Sequence, residues 1–270
     1  MAKVVVVFDF DLTIIDDDSD RWVVNQMAVT QLFKQLRDNM PWTSLMDRMM
    51  EELHSKGITA QQIADCLKRV PFHPSTFSAI KSAHALGCEL RIISDANLFF
   101  IRTVLEEHGV LGCFSHIDTN PAFVDQHGRL RITPFRSSTF SPHAFPICPP
   151  NLCKGLVMDQ IRGSLPENTR FIYIGDGTGD YCPTLKLKGG DFVMPRKNYP
   201  LWNRICSDPK LVNAKVHEWS TGEELEIILL NLINKLAIPQ EVAAGEGHQL
   251  HTHSPIGTIA PSLDTKQRKL

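Results

Sequence analysis

Two aspartates follow the first apolar run of the chain. Residues 4–8 read VVVVF, and Asp9 and Asp11 come after them, one residue apart. Because side chains alternate between the faces of a strand, a strand continuing through this stretch would aim both carboxylates the same way. Two like charges held this close need a cation, and Mg²⁺ is usually bound by one or two carboxylates and a substrate phosphate. The pair predicts a magnesium and phosphate site, unless both aspartates only end the strand as turn residues.

Three later stretches carry groups that suit the same chemistry. Ser94 ends a second apolar run, Lys154 opens a helical segment, and Asp176 and Asp180 follow a third apolar run among glycines. The carboxyl ends of parallel strands form the ligand crevice of an open sheet, so these groups would meet the first pair at one edge. Each also has a simpler explanation, because Ser94 and Asp180 could cap helices and Lys154 could be a solvated surface residue. The ordered set is better explained by one shared site.

The stretches that would position these groups alternate between two patterns of apolar residues. Short apolar runs bounded by turn signals predict strands, and segments of helical period between them predict covering helices. Such alternation is typical of an α/β fold with a parallel sheet flanked by helices. The predicted strands cover residues 4–8, 89–94, 171–174 and 191–194, and predicted helices cover residues 73–87, 98–108 and 225–236.

Residues 16–72, between the first two strands, show no convincing strand pattern. Apolar residues at helical spacing, such as Trp22, Val23 and Met27, predict amphipathic helices there. We interpret this stretch as a helical insert. Further along, residues 123–132 resemble a hairpin, because a polar loop containing glycine separates two short arms. Residues 134–150 are predicted to form a long ordered loop near the functional face.

Composition and charge exclude several classes of function. The chain has 270 residues, 43% hydrophobic content and a net charge of -2, which fits a globular protein without a basic footprint for nucleic acid. No apolar run approaches the ~18 residues of a membrane helix, and no signal peptide is indicated. We therefore expect a cytoplasmic protein with neither a nucleic-acid nor a membrane partner. Residues 239–270 are polar and lack aromatic residues, so we expect a disordered tail, which carries His248, His251 and His253.

The cysteines are seven in number and irregularly spaced, which fits reduced thiols better than a disulfide framework. Cys148 and Cys153 flank a Pro-Pro turn and could bind zinc. No second close pair in the sequence accompanies them. Whether they bind metal stays open at this level.

The ordered motifs resemble those of the haloacid dehalogenase superfamily of phosphohydrolases, over residues 3–237. A closer similarity is to the phosphoethanolamine/phosphocholine phosphatase type and its plant relatives that act on pyrophosphate or thiamine monophosphate. The residues that carry the resemblance are Phe8-Asp9-Phe10-Asp11-x-Thr13, Ser19-Asp20, Ile93-Ser94-Asp95-Ala96-Asn97, Cys148-Pro149-Pro150-Asn151-x-Cys153-Lys154-Gly155 and Gly175-Asp176-Gly177-x-x-Asp180-Tyr181-Cys182-Pro183.

This resemblance implies a two-step phosphatase reaction. Asp9 would be the nucleophile that forms an aspartyl-phosphate. Asp11 would protonate the leaving oxygen and then activate the hydrolytic water. Thr13 would orient the loop, help hold Asp11 and contribute to phosphate binding. Ser94 and Lys154 would hold the transferring phosphoryl group, the lysine as a compact positive charge.

The resemblance also implies a Mg²⁺ cofactor and a lid. The implied metal ligands are Asp9, the backbone carbonyl of Asp11, and Asp176, with Asp180 as a ligand or a supporting anchor. The insert occupies the position of a helical cap, and such caps close over the site and select the substrate. The predicted division is a Rossmann-like catalytic core of residues 1–15 and 73–238, a cap of residues 16–72, and the tail.

Asp20 and Asp95 match positions linked to substrate binding in this type. Acidic groups near the leaving group would favour a cationic head, as in phosphocholine, phosphoethanolamine or thiamine monophosphate. Pyrophosphate fits them less well unless a second Mg²⁺ bridges, and Asp20 could instead be the N-cap of the first insert helix. A phosphotransferase and a non-catalytic Mg²⁺ or phosphate-binding module are the alternatives from other classes.

Overall fold

A parallel sheet forms the centre of the structure, a computed structural model that describes residues 3–136 and 148–237. Its strand order is β3-β2-β1-β6-β7-β8, and every neighbouring pair in it runs parallel. The strands are β1 (Val4–Phe8), β2 (Glu89–Asn97), β3 (Phe114–Asn120), β6 (Arg170–Gly175), β7 (Phe192–Pro195) and β8 (Lys215–Val216), and a separate antiparallel pair is formed by β4 (Ala122–Val124) and β5 (Leu130–Ile132).

Helices cover both faces of this sheet, which explains why β1 is apolar throughout. Val6 and Phe8 point into the largest apolar cluster of the described residues, together with residues of α5 (Pro74–Ala85), α6 (Leu98–Glu107) and α10 (Gly222–Ala237). Val5 and Val7 point into a second cluster, together with residues of α7 (Lys154–Gly163) and α9 (Pro200–Ser207). The predicted α/β fold with a flanked parallel sheet is confirmed. The helices are α1 (Ser19–Gln26), α2 (Thr30–Leu36), α3 (Trp42–Ser55), α4 (Ala60–Leu67), α5 (Pro74–Ala85), α6 (Leu98–Glu107), α7 (Lys154–Gly163), α8 (Tyr181–Thr184), α9 (Pro200–Ser207) and α10 (Gly222–Ala237).

The stretch between β1 and β2 is helical, as its periodicity predicts. In α3 the buried positions include Leu45, Met49 and Leu53, which recur every four residues and form one face. The same apolar cluster contains these residues and Phe8 of the sheet, so the insert helices and the sheet share a core. The division into a core and a cap at residue 72 stays a prediction.

The predicted hairpin is confirmed, and the structure shows where it packs. Its strand β5 lies against α3 of the insert. The Arg131 guanidinium donates to both carboxylate oxygens of Asp47, at 2.9 and 2.8 Å, and the backbone N–H of Ile132 donates to Asp47 Oδ1 at 2.9 Å. A bidentate contact of this kind fixes the relative orientation of the two side chains as well as their distance. The hairpin is thereby fastened to the helical insert.

Three sheet features differ from the sequence prediction. Strand β2 continues through Ser94 to Asn97, and two strands, β3 and β8, were not predicted. Both lie at the edges of the sheet and carry polar, partly exposed residues, so they lack the apolar run that marks a buried strand. The helix predicted over residues 73–87 is α5, and Gly87 lies just after its end in a left-handed conformation with φ of 81°.

Two sequence predictions fall partly or wholly outside the described residues. These are the long loop, of which residues 137–147 are not described, and the tail of residues 239–270 with its three histidines. Within the described part, no helix combines the length and apolar character needed to span a bilayer.

Candidate active site

The carboxyl ends of β1, β2 and β6 meet at one edge of the sheet. Phe8 pairs with Ile92 of β2 and with Ile174 of β6, so Ser94 and Asp176 each lie two residues beyond the level of Phe8. Asp9 follows Phe8 directly, and its backbone N–H donates to the Ile174 carbonyl at 2.8 Å. The register of the sheet therefore brings these predicted residues to a common edge.

The explanation offered for the first two aspartates is wrong in one respect. Strand β1 ends at Phe8, so Asp9 and Asp11 lie in the turn after it and are not positioned by strand alternation. The turn is tight, because Leu12 adopts a left-handed conformation with φ of 54°. Arg196 holds this turn by donating to the Leu12 carbonyl at 2.7 Å. A local sequence pattern could not show this contact, because Arg196 follows β7 and is far from Leu12 in the chain.

Lys154 joins two of the buried acids. Its Nζ atom lies 2.6 Å from Asp9 Oδ2 and 2.9 Å from Asp180 Oδ1, and only 4% of its side chain is exposed. Burial lowers the pKa of Lys154, but the charges of Asp180 and Asp9 outweigh this effect and hold its pKa above the ordinary value. The lysine is therefore a fixed positive charge inside the site, and the surface alternative for it is wrong.

Asp180 is held by donors from several directions. Its Oδ1 atom accepts from the Tyr173 hydroxyl at 2.7 Å, and its Oδ2 atom accepts from the backbone N–H groups of Asp176 and Gly177 at 3.1 and 2.8 Å. A Cβ atom on Gly175 would overlap this carboxylate, which explains why the residue before Asp176 is a glycine. The Asp180 carboxylate thus fastens the turn that follows β6 and makes no side-chain hydrogen bond as a cap of α8.

Three carboxylates are close enough to share a metal ion. One oxygen atom from each of Asp9, Asp176 and Asp180 lies within 4.8 Å of the others, and all three residues are buried. Burial, followed by repulsion from Asp180, raises the pKa of Asp9 and raises that of Asp176 to about 7. Thr13 steadies Asp176 by donating from Oγ1 to its Oδ1 atom at 3.3 Å. A buried cluster of carboxylate oxygens fits a hard divalent cation.

Asp11 occupies a different environment from Asp9. Its Oδ1 atom accepts from the backbone N–H of Ser19 at 2.9 Å. Burial, followed by repulsion from Asp18, raises the pKa of Asp11 to about 7. A carboxyl group with a pKa near neutrality can both donate and accept a proton at physiological pH.

Ser94 and Asp95 lie next to each other near the end of β2. The Ser94 hydroxyl is buried and accepts from the Ala96 backbone N–H at 3.2 Å. Helix α6 is capped by Asn97, so the capping alternative for Ser94 is wrong. Burial raises the pKa of Asp95 and the charge of Lys154 lowers it, with the first effect larger. Both residues therefore lie at the same edge as the lysine and the acid cluster.

Asp20 lies in the first turn of α1 but is not its cap, since Asp18 fills that position. The Trp42 indole donates to Asp20 Oδ2 at 2.6 Å, whereas Oδ1 is buried and has no hydrogen-bond partner in residues 3–136 and 148–237. Burial, then repulsion from Asp18 and Asp11, raises the pKa of Asp20 well above its ordinary value. A buried acceptor without a donor is a position where a ligand donor or cation would be stabilised.

Two asparagines that the sequence analysis did not assign connect the site to the insert. Asn120 donates to the carbonyls of Asp95 and Ala96 at 2.7 and 2.8 Å. Asn151 donates to Asn120 Oδ1 at 2.7 Å and to the Thr43 hydroxyl of α3 at 3.0 Å. Asn151 lies in the CPPNLCKG stretch, which was the available signal, whereas Asn120 ends a strand that the sequence did not reveal.

Solved structures share the fold of this chain. A phosphoserine phosphatase described as a phospho-aspartyl intermediate analogue superposes with a TM-score of 0.55 at 15% identity, over 84% of this chain and 98% of that one. The likeness at this identity concerns the fold alone.

Sequence comparison identifies the family. The profile of the family described as "Putative Phosphatase" matches residues 4–233, and the chain belongs to this family. It is 53% identical to "Inorganic pyrophosphatase 2" of Arabidopsis thaliana, over 89% of this chain and 88% of that protein. It is 54% identical to the "Thiamine phosphate phosphatase-like protein" of Arabidopsis thaliana, over 87% and 98%. It is 34% identical to "Pyridoxal phosphate phosphatase PHOSPHO2" of Bos taurus, over 86% and 100%.

Proposed function

We propose that the chain is a Mg²⁺-dependent phosphatase that hydrolyses a small phosphate ester through a phosphorylated Asp9. The observation that carries the proposal is the placement of Lys154 between Asp9 and Asp180, beside Asp176, in a buried site. Phosphoryl transfer requires a nucleophile and fixed positive charge around the moving group. The cytoplasmic location stays a prediction from the sequence.

In the first step, a carboxylate oxygen of Asp9 attacks phosphorus while the bond to the leaving oxygen breaks. Asp11 in its protonated form gives its proton to that leaving oxygen. In the second step, Asp11 takes a proton from water, the water oxygen bonds to phosphorus, and the bond to Asp9 breaks. Inorganic phosphate is released and both aspartates return to their first states. A pKa of about 7 for Asp11 supports this double role.

The remaining residues stabilise charge and geometry. Lys154 holds the phosphoryl oxygens, and Ser94 donates to them from the neighbouring strand. Mg²⁺ would be held by the carboxylates of Asp9 and Asp176 and by the Asp11 carbonyl, and when bound it neutralises charge on the phosphoryl group. Asp180 already accepts four hydrogen bonds, which supports the role of an anchor for Lys154 and for the Asp176 turn.

The substrate is proposed to carry a cationic leaving group. Asp20 offers a buried carboxylate oxygen, and burial, followed by repulsion from Asp18, Asp11 and Asp95, raises its pKa. A nearby cation would relieve this repulsion. Thiamine monophosphate carries such a cation, and a relative 54% identical to this chain is named for that substrate. Pyrophosphate is the second candidate because relatives named as pyrophosphatases are 53% and 51% identical.

Phosphate release from a substrate panel tests the proposal. The panel contains thiamine monophosphate, phosphocholine, phosphoethanolamine, pyridoxal phosphate and pyrophosphate, each with Mg²⁺ and with a chelator. We expect Mg²⁺-dependent release, with the highest kcat/KM for a cationic ester. A strong preference for pyrophosphate would overturn the substrate assignment and leave the phosphatase assignment intact.

The Asp9→Asn variant tests the nucleophile. We expect kcat to fall by about a thousandfold or more, because an amide cannot form the acyl-phosphate. The matched control is Asp65→Asn, an exposed residue of α4. Both variants should retain the native circular dichroism. Substantial turnover by a folded Asp9→Asn protein would overturn the assignment.

A further inference from the structure

Three cysteine sulfurs from two separate stretches of chain lie close together in the structure. The Sγ atom of Cys153 lies 3.5 Å from that of Cys148 and 3.7 Å from that of Cys182. All three sulfurs lie within 4.8 Å of one another, and all three residues are buried. A disulfide bond requires about 2.05 Å between sulfurs, so the thiols are reduced. Cys148 and Cys153 are the pair that the sequence suggests, and the fold adds Cys182 to them.

We propose that these three thiols bind a thiophilic metal ion, of which Zn²⁺ is the best match, at a site separate from the carboxylate cluster. A Zn–S distance of about 2.3 Å places two sulfurs of a tetrahedral site about 3.8 Å apart. The distances of 3.5 and 3.7 Å from the Cys153 sulfur to the other two sulfurs need only small shifts to reach this value. Binding releases three protons, one from each thiol, and leaves three thiolates on the ion.

The surroundings of the sulfurs favour a metal over a reactive nucleophile. Burial raises the pKa of the Cys182 thiol to about 11, and burial also raises that of Cys148. Such thiols are protonated at neutral pH, and a bound metal ion removes the proton by charge. The positive charge of Lys186 also lowers the pKa of Cys182, although burial has the larger effect. Cys153 is the N-cap of α7, where the helix dipole stabilises negative charge.

The position of the cluster gives it a supporting function for the active site. Cys153 immediately precedes Lys154, and Cys182 lies in α8, which follows Asp180. Gly155 lies so close to Cys182 that a Cβ atom on it would overlap the sulfur. A metal ion bound to both cysteines would therefore cross-link the two stretches that form the Lys154–Asp180 ion pair. Soft thiolate and hard carboxylate ligands would separate Zn²⁺ from Mg²⁺.

Metal analysis of the full-length chain tests this proposal without reference to its reaction. The protein is purified under reducing conditions, reconstituted with Zn²⁺, and washed with a weak chelator before elemental analysis. We expect about one zinc per chain, retained through the wash because structural zinc sites bind tightly. Cys148→Ser should lower the retained zinc by about tenfold, as expected for loss of a ligand. The control Cys206→Ser, at an exposed cysteine of α9, should retain it.

Cobalt substitution identifies the ligands and does not depend on a variant that folds. Co²⁺ bound by thiolates shows a sulfur-to-metal charge-transfer band in the near ultraviolet, and we expect this band in the unmodified chain. Metal that binds without this band would be held by carboxylates and would overturn the proposal. Zinc content below about a tenth per chain after reconstitution would overturn it as well. So would a Cys148–Cys153 disulfide found by peptide mapping of the isolated protein.

Discussion

The Nζ atom of Lys154 lies 2.6 Å from the Oδ2 atom of Asp9, and both side chains are buried. The other oxygen of Asp9 accepts from the backbone N–H of Phe10 at 2.6 Å. The proposed nucleophile is thus paired with a buried cation and held in one orientation by its own turn. A phosphoryl group entering the site would compete with Asp9 for this lysine, while Asp180 keeps the ammonium in place.

Two replacements of Lys154 should distinguish the effect of its positive charge from the effect of its exact position. In Lys154→Met, we expect kcat/KM to fall by about 100-fold to 1,000-fold, because a fixed charge on the transferring group is lost. Lys154→Arg keeps the charge but changes its shape, and it should recover only part of the loss. Steady-state phosphate release measures both variants. Lys188→Met, at an exposed lysine, is the control, and equal activity of Lys154→Met and this control would contradict the role.

The role of Asp11 can be tested with two leaving groups. Asp11→Asn should lower kcat by about 100-fold to 10,000-fold for an alkyl phosphate, because its proton donor is absent. An aryl phosphate with an acidic leaving group needs no proton, so its first step should continue and phosphorylated enzyme should accumulate. Acid quenching with radiolabelled substrate measures that accumulation. Asp17→Asn in the same turn is the control, and equal losses for both leaving groups would count against the acid role.

Asp20 should affect substrate choice more than the chemical step. We expect Asp20→Asn to raise KM for a cationic ester by about tenfold, since a desolvated charge pair is lost, with a smaller effect on an uncharged ester. Trp42→Phe removes the indole hydrogen bond to Asp20 and keeps the carboxylate. Its effect on KM should therefore be smaller. Equal KM changes for both esters in Asp20→Asn would assign Asp20 a structural role.

The Asp47–Arg131 contact should stabilise the fold in a pH-dependent way. Burial raises the pKa of Asp47, but the hydrogen bonds from Arg131 and Ile132 outweigh burial and leave that pKa below the ordinary value of 3.8. Stability from this carboxylate is therefore present above the unfolded pKa and is lost as pH falls through the lower folded pKa. At pH 7, Asp47→Asn should lower the free energy of unfolding by about 1 kcal/mol.

Chemical denaturation at several pH values measures this difference. The gap between the parent chain and Asp47→Asn should narrow once the pH falls below about 4, the ordinary range of an aspartate. Asp38→Asn, at a residue whose side chain is 85% exposed, should leave the free energy of unfolding unchanged. A gap that stays constant down to acid pH would show that the ionised carboxylate is not responsible.

Several elements were predictable because their signals are local. The run VVVVF predicted a strand of a covered sheet, and the structure buries all five of its residues. The period of α3 and the stop at Gly87 are likewise properties of a few neighbouring residues. Strand β3 was missed because an edge strand with partly exposed polar residues carries no such signal. The hairpin was predicted, but its partner Asp47 was not, since the contact joins distant stretches.

By itself, the sequence determined the alternation of strands and helices, the class of chemistry, and which residue types lie near the carboxyl ends of the strands, at Asp9, Ser94 and Asp176. These follow from short-range periodicity and from ordered motifs. Only the tertiary structure decided that Tyr173 and Lys154 share the Asp180 carboxylate and that Cys182 joins the other two thiols. Such contacts depend on strand register and helix packing, because residues far apart in the chain become neighbours only when both faces of the sheet are covered.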